Sequence, residues 1–193
     1  MNEIWILGAT GRSGRAIAQR LVAAGVTPVL VGRDEERLRE TARQLAARAD
    51  GGPDDVSGDA GGSGSARGSR VGDEGGSGRA GLPRTVVAGS VEAVAARVAD
   101  GAPAVVVNTV GPFTRTAAPV LDACPPGTHY LDLANELPAV TSLLDRHERA
   151  VAAGSCLVTG AGYGVLGTES VLLKLCQGRP GRTGSGSTRC RRW

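Results

Sequence analysis

Short apolar runs alternate with helically spaced apolar positions six times along the 193 residues of this chain. Ile4–Leu7 reads as a buried strand, residues 8–14 as a glycine-rich loop, and the next stretch as a helix. That helix carries Ile17, Ala18, Leu21 and Val22 on one face and stops at Gly25. Residues 29–31 form a second strand. Asp34 then caps a helix with Leu38, Ala42, Leu45 and Ala46 on one face, and Glu35 and Glu36 sit in its first turn, where the helix dipole favours negative charge.

The pattern fails over residues 51–81. Glycine and serine make up more than half of that stretch, and Val56 and Val71 are its only large apolar residues. Such a segment has too little apolar surface to offset the entropy of ordering it, so a disordered Gly/Ser-rich insertion is expected there. Regular patterning resumes with a strand at 85–88. Ser90 caps a helix bearing Val91, Val94, Ala95 and Val98 and ending at Gly101, and a fourth strand follows at 104–107. A short helix is expected from about residue 116 to 124, with Pro119 tolerated in its first turn. Residues 130–133 read as a fifth strand. A helix from Pro138 to Gly154 shows Val140, Leu143, Leu144, His147 and Val151 on one face, which makes His147 a packed histidine. A sixth strand at 156–159 and a helix at about 168–176 complete the regular pattern.

Six alternations with short connections mean a doubly wound α/β fold: a parallel six-stranded Rossmann sheet with helices on both faces, in two βαβαβ halves. In such a sheet the ligand lies beyond the carboxyl ends of the strands, where the strand order reverses. Apolar residues are 41% of the chain, charged residues 21% and aromatic residues 3%, so the core must come from Val, Leu, Ile and Ala. A net charge of +3 without a basic cluster before the last few residues argues against nucleic acid. Cys124, Cys156, Cys176 and Cys190 stand far apart with no histidine at ligand spacing, which argues against a metal and against a disulfide framework. With neither a leader-like start nor a membrane-length apolar run, a soluble cytoplasmic chain with no membrane partner is expected.

Gly8-Ala9-Thr10-Gly11-Arg12-Ser13-Gly14 is a GxxGxxG loop between a strand and a helix. Gly8 permits the turn out of the strand, Gly11 lets a pyrophosphate approach the backbone, and Gly14 lets the helix pack against the sheet. The helix N-terminus offers N–H groups and a positive dipole to the phosphates, with Ala9, Thr10, Arg12 and Ser13 completing the loop around them. The end of the second strand selects the cofactor. An acidic residue there would hold the ribose 2′-hydroxyl of NAD, but the chain reads Val31-Gly32-Arg33-Asp34. Arg33 suits the 2′-phosphate of NADP by charge and fork geometry. NAD remains the alternative if Asp34 is the ribose ligand rather than a helix cap. After the fourth strand, Asn108 is placed to hydrogen-bond the ribose or carboxamide, and Gly111 and Pro112 to wall the nicotinamide end; an ordinary Gly-Pro turn is the alternative.

The runs Asn108-Thr109-Val110-Gly111-Pro112-Phe113 and Gly127-Thr128-His129-Tyr130-Leu131-Asp132-Leu133-Ala134-Asn135-Glu136, taken with the GATGRSG loop, make the chain similar to a known family. It resembles the NADP-binding domain of the saccharopine dehydrogenase family, which includes saccharopine reductases and trans-acting enoyl reductases. The similarity covers residues 4 to about 180. It implies a bipartite oxidoreductase in which hydride passes between NADP(H) and a small imine, amino-acid or enoyl substrate. A second, larger α/β domain would complete the substrate site and often mediate homodimerisation. By the same resemblance Gly8, Gly11 and Gly14 bind the pyrophosphate, Asn108, Gly111 and Pro112 approach the nicotinamide, and Tyr130, Asp132 and Glu136 lie beside the substrate cleft. The enoyl-reductase branch commonly carries a glycine–aromatic–Asp–Ser–x–Pro run after the sixth strand. Here Gly162-Tyr163-Gly164-Val165-Leu166-Gly167 lacks its Asp and Pro.

The residues themselves assign no catalytic group. Tyr130 and Tyr163 are followed four places on by Ala134 and Gly167 rather than lysine, His129 sits at a strand entrance, and Asp132 and Glu136 straddle a strand end. The expected organisation is one dinucleotide-binding domain over residues 1–180 and an irregular basic tail over 181–193, with the substrate domain absent. The tail is expected to be an out-of-frame extension of a truncated chain, a genuine basic tail being the alternative. An NADP-binding sensor or an inactive remnant is accordingly the alternative to an enzyme.

Overall fold

A computed structural model describes residues 3–50 and 82–176. The strands are β1 (Ile4–Leu7), β2 (Val29–Gly32), β3 (Thr85–Val87), β4 (Val105–Asn108), β5 (His129–Asp132) and β6 (Leu157–Val158). They form one sheet in the order β3-β2-β1-β4-β5-β6, every neighbouring pair parallel. That is the doubly wound order, with the reversal between β1 and β4. The helices are α1 (Arg12–Ala23), α2 (Glu35–Asp50), α3 (Val91–Gly101), α4 (Phe113–Asp122), α5 (Leu137–Leu144), α6 (His147–Ala152) and α7 (Tyr163–Cys176).

Side chains alternate across a strand, so one apolar run feeds two cores. On one face Trp5, Leu7, Val29, Val31, Val106 and Tyr130 pack with Val98 of α3, Val120 and Leu121 of α4 and Leu143 of α5. On the other, Ile6, Leu30 and Val107 pack with Ala18 of α1 and with Leu38, Ala42 and Leu45 of α2. The helix faces expected for α1 and α2 are the ones that point inward. Asp34 Oδ1 accepts from the Arg37 N–H at 3.0 Å, and Ser90 Oγ accepts from the Ala93 N–H at 3.2 Å, so both sequence-expected caps are formed.

Three helices depart from the sequence pattern for identifiable reasons. Helix α4 starts at Phe113, three residues before its expected start, which places Pro119 in mid-helix rather than in the first turn. Pro112, at its N-cap, has no side-chain acceptor; Glu136 supplies one from 23 residues downstream, its Oε1 accepting from the Phe113 N–H at 3.0 Å. The helix expected from Pro138 to Gly154 is two helices, α5 and α6. Arg146 Nη1 donates to the Ser142 carbonyl and its Nε and Nη2 to the Asp122 carboxylate, closing α5 and turning the chain. Leu143 and Ala150 are buried as a result, while Leu144, His147 and Val151 are exposed, so His147 is a surface histidine and not a packed one. Helix α7 begins five residues before its expected start. The insertion at 51–81 and the tail at 181–193 lie outside the described residues.

Candidate functional site

The loop from β1 to α1 is built on close approaches. Gly8 has φ +76°, a conformation L side chains rarely adopt, and a Cβ on it would lie 2.9 Å from both Thr109 Oγ1 and Val110 Cγ2 of the loop after β4. A Cβ on Gly14 would lie 2.4 Å from the Gly8 carbonyl oxygen and 2.8 Å from Ala9 Cα, so α1 docks directly on the loop backbone. The N–H groups of Gly8 and Ala9 donate to the Val31 carbonyl at 2.9 and 3.1 Å, and Gly11 N–H to Gly8 O at 2.9 Å. Ala9 is buried, Thr10 half-buried, and Gly11, Arg12 and Ser13 are exposed. At its N-cap, Gly11, α1 has no side-chain acceptor, and its first turn has no acidic residue. The N-terminal N–H groups of a twelve-residue helix are thereby left facing outward with an uncompensated positive dipole.

At the end of β2, a Cβ on Gly32 would already sit 3.2 Å from Leu38 Cδ2. A side chain there would press on the fully buried Leu38, which would have to give by a few tenths of an ångström. Arg33 is exposed and has no ion-pair partner among the described residues, whereas the Asp34 carboxyl is taken up by the start of α2. Beside the loop, Thr10, Arg15, Arg37 and Thr41, with Glu36 and Glu40, line a surface cleft of about 280 Å³.

Across the strand reversal, Leu7 is in register with Asn108, and Asn108 with Asp132. Thr109 Oγ1 donates to the Leu7 carbonyl at 2.7 Å, fastening the β4 loop to the end of β1. The Asn108 side chain is fully buried: its Nδ2 donates to Tyr130 Oη at 3.0 Å and its Oδ1 accepts from the Val110 N–H at 3.0 Å. Thr116 Oγ1 donates to the Val110 carbonyl. Gly111 and Pro112, joined by a cis peptide, are exposed beyond this knot.

Of the residues expected beside a substrate cleft, Tyr130 and Asp132 are buried at 1% and 0% exposure, and Glu136 is half-buried. Burial raises the pKa of the Tyr130 phenol well above its usual range. The Asn108 hydrogen bond opposes that shift and the nearby Asp132 adds to it, so the phenol keeps its proton at neutral pH. Asp132 Oδ1 accepts from Thr159 Oγ1 at 2.8 Å, from Ala134 N–H at 3.1 Å and from Gly160 N–H at 3.3 Å. Glu136 accepts from its own N–H and from those of Phe113 and Asn135, which lowers its carboxyl pKa.

The strand ends thus bring Gly8, Asn108, Thr109 and Asp132 into one row. Arg33 stands apart at the end of β2. His129 opens β5 at the opposite edge, its Nδ1 accepting from the Cys156 N–H. Sequence reasoning did not single out Thr109, Thr116 or Thr159. Their signal was position, because Thr109 and Thr159 stand at the carboxyl ends of apolar strand runs. Among the described residues no group of His, Cys, Asp or Glu has a metal-binding arrangement, and no helix is long and apolar enough to cross a membrane. Burial, with the Asp122 charge second, pushes the Cys124 thiol up to about 12.

Residues 3–57, which span β1 through α2, match the model of the family described as NADP oxidoreductase coenzyme F420-dependent. The chain is 32% identical over 165 residues to trans-acting enoyl reductases of Mycobacterium leprae and of Mycobacterium tuberculosis H37Rv. In each case the match takes in 83% of this chain and 32% of the relative, so the chain spans about a third of the length of the curated relatives it matches. A metagenomic short-chain oxidoreductase solved in complex with NADP superposes with a TM-score of 0.54 at 16% identity, over 82% of this chain and 80% of that one. A short-chain dehydrogenase from Streptomyces avermitilis gives 0.50 at 16% identity, over 81% and 63%. The fold of this chain is the Rossmann fold that such oxidoreductases share.

Proposed function

We propose that this chain binds NADP along the carboxyl edge of its sheet and is the cofactor-binding part of an oxidoreductase. The observation that carries this reading is the cradle of Gly8, Gly11 and Gly14. Side chains at the first and third of these positions would collide with the fold, and the helix N-terminus beyond them is uncapped and free of acid. The N–H groups at the start of α1 would hold the pyrophosphate, and Arg33, with no ion-pair partner among the described residues, the 2′-phosphate. Gly111 and Pro112, with the backbone that Asn108 fixes, would border the nicotinamide. When bound, the nicotinamide supplies the hydride; the protein supplies orientation and exclusion of water.

The substrate class that fits the resemblance to the saccharopine dehydrogenase family is a small imine, amino acid or enoyl compound. The enoyl reductases among the relatives favour the last. Substrate-binding groups then belong largely to the part of the relatives' length that this chain does not span. A chain that holds NADP without turning over a substrate is the second reading. It is favoured by the burial of Tyr130 and Asp132, which withdraws two polar side chains from the cleft.

Fluorescence titration of the chain with NADPH and NADH, followed by turnover assays with enoyl and imine substrates, tests both. Tighter binding of NADPH is expected. Equal affinities remove the assignment to NADP, and no binding of either removes the dinucleotide site. Binding without turnover selects the second reading.

A further inference from the structure

We propose that Asp132 is a positioning residue for the nicotinamide half of the site, tying together the backbone segments that follow β5 and β6. The inference rests on the dinucleotide reading above and adds to it a division of labour between the two halves of the sheet.

Three polar side chains stand at the ends of three adjacent strands: Asn108 on β4, Asp132 on β5 and Thr159 just beyond β6. The register pairs Asn108 with Asp132 and Leu131 with Val158, which places Thr159 next to Asp132. A single carboxyl oxygen of Asp132 collects the Thr159 hydroxyl, the Ala134 N–H and the Gly160 N–H, so one atom sets the chain direction after both β5 and β6. The other oxygen, Oδ2, is buried and has no hydrogen-bond partner among the described residues. The Tyr130 hydroxyl accepts from Asn108 Nδ2 at 3.0 Å, and Asn108 is in register with Asp132. Asn108 in turn holds the Val110 N–H, and Thr116 holds the Val110 carbonyl.

The polarity of this chain runs one way. Asn108 can only donate through Nδ2, so the single Tyr130 proton is directed away from it. Asp132 Oδ1 is the acceptor on which the Thr159, Ala134 and Gly160 donors converge. An amide in its place would turn its NH2 group toward the Thr159 and Gly160 donors, or into the place of Oδ2, which has no hydrogen-bond partner among the described residues. The first orientation sets donor against donor and the second buries an NH2 group with no acceptor, in a site sealed from water where an unmet polar group is costly. The glycine loop of the first half makes no hydrogen bond to Asp132. Among the described residues it meets the β4 segment at Thr109 and Val110.

Asp132→Asn should therefore weaken NADPH binding about tenfold, a loss of about 1.4 kcal/mol, while leaving affinity for 2′,5′-ADP, which lacks the nicotinamide half, within about twofold. The emission of bound NADPH should shift toward that of the free cofactor. Thr159→Val, which removes one donor without changing shape, should show the same split more weakly, and Thr159→Ser should restore wild-type values. Thermal melts of each variant accompany the titrations. A purely structural Asp132 would lower the melting temperature and move both ligands equally or neither, and that result overturns the proposal; should Asp132→Asn not fold, the Thr159 pair decides it by the same criterion. If the wild-type chain binds neither ligand, the dinucleotide reading itself is wrong and the proposal goes with it. If 2′,5′-ADP and NADPH bind the wild type but no variant separates them, only the positioning role is lost.

Discussion

Helix α1 rests directly on the glycine loop: Gly14 faces the carbonyl oxygen of Gly8 so closely that a methyl group on it would stand 2.4 Å from that oxygen. The backbone, not a flexible side chain, is what such a methyl would strike. Gly14→Ala must therefore lift the helix N-terminus away from the loop it serves. We expect NADPH affinity to fall at least tenfold and stability to drop by about 1–3 kcal/mol, read by titration and by thermal melting. Unchanged affinity in a variant with a normal melt would show that the helix terminus does not hold the phosphates.

Arg33 has no ion-pair partner within the described fold, so its removal should cost the fold nothing and the ligand a charge. Arg33→Ala should weaken NADPH about tenfold or more and leave NADH within about twofold, because charge-assisted bonds to a phosphate are worth roughly 1.5–3 kcal/mol. Equal loss for both cofactors would sink the assignment of Arg33 to the 2′-phosphate. The Asp34 carboxyl is engaged by the Arg37 N–H, and Asp34→Ala should act on the melting temperature rather than on the choice between cofactors.

Much of this architecture is legible in the chain. Apolar runs bounded by glycine, proline or charge mark all six strands to within a residue or two, and the Asp-Glu-Glu run marks the start of α2. What is not legible depends on partners far away in sequence. The start of α4 is set by Glu136, and the break between α5 and α6 by the reach of Arg146 to Asp122. Local spacing cannot report either. The same limit governs the site. A polar residue at a strand end reads alike whether it faces the cleft or a neighbouring strand, and only the register shows Asn108 standing opposite Asp132. The glycine loop is legible because its requirement is local: a short turn, a close helix and no side chain between.

Gly101 repeats the steric situation of Gly14 at a place remote from the glycine loop. A Cβ there would meet the Trp5 ring at 2.5 Å, and Trp5 is itself held by its Nε1 donating to Glu3 and by Arg84 stacked 5.4 Å from its centroid. Gly101→Ala should cost about 1–3 kcal/mol in stability, lowering the melting temperature by several degrees, with NADPH affinity unchanged. The contrast with Gly14→Ala separates a glycine kept for packing from one kept for the ligand. If both variants lose cofactor equally, the losses report general destabilisation, and the local reading of Gly14 fails.

The ion pair of Asp122 with Arg146 predicts a pH dependence of defined sign. Hydrogen bonding from Arg146, opposed by burial and aided by the charges of Arg146 and Arg149, lowers the Asp122 pKa below its ordinary value of 3.8. A carboxylate whose pKa is lower folded than unfolded stabilises the fold above its unfolded pKa, and that contribution is lost as pH falls through the folded one. The Asp122 side chain is 47% exposed and that of Arg146 25%, so solvent screens much of the attraction and the pair is worth about 0.5 kcal/mol. Wild type should therefore melt about 1–2 °C above Asp122→Asn at pH 7. The gap should close as the pH is lowered through 4 toward 2, where both proteins carry a neutral group at this position. A gap that persisted or widened in acid would mean that Asp122 acts through packing rather than through its charge. Because Arg146 also closes α5 through Ser142, Arg146→Ala should cost more than Asp122→Asn at every pH, and the excess should be independent of pH.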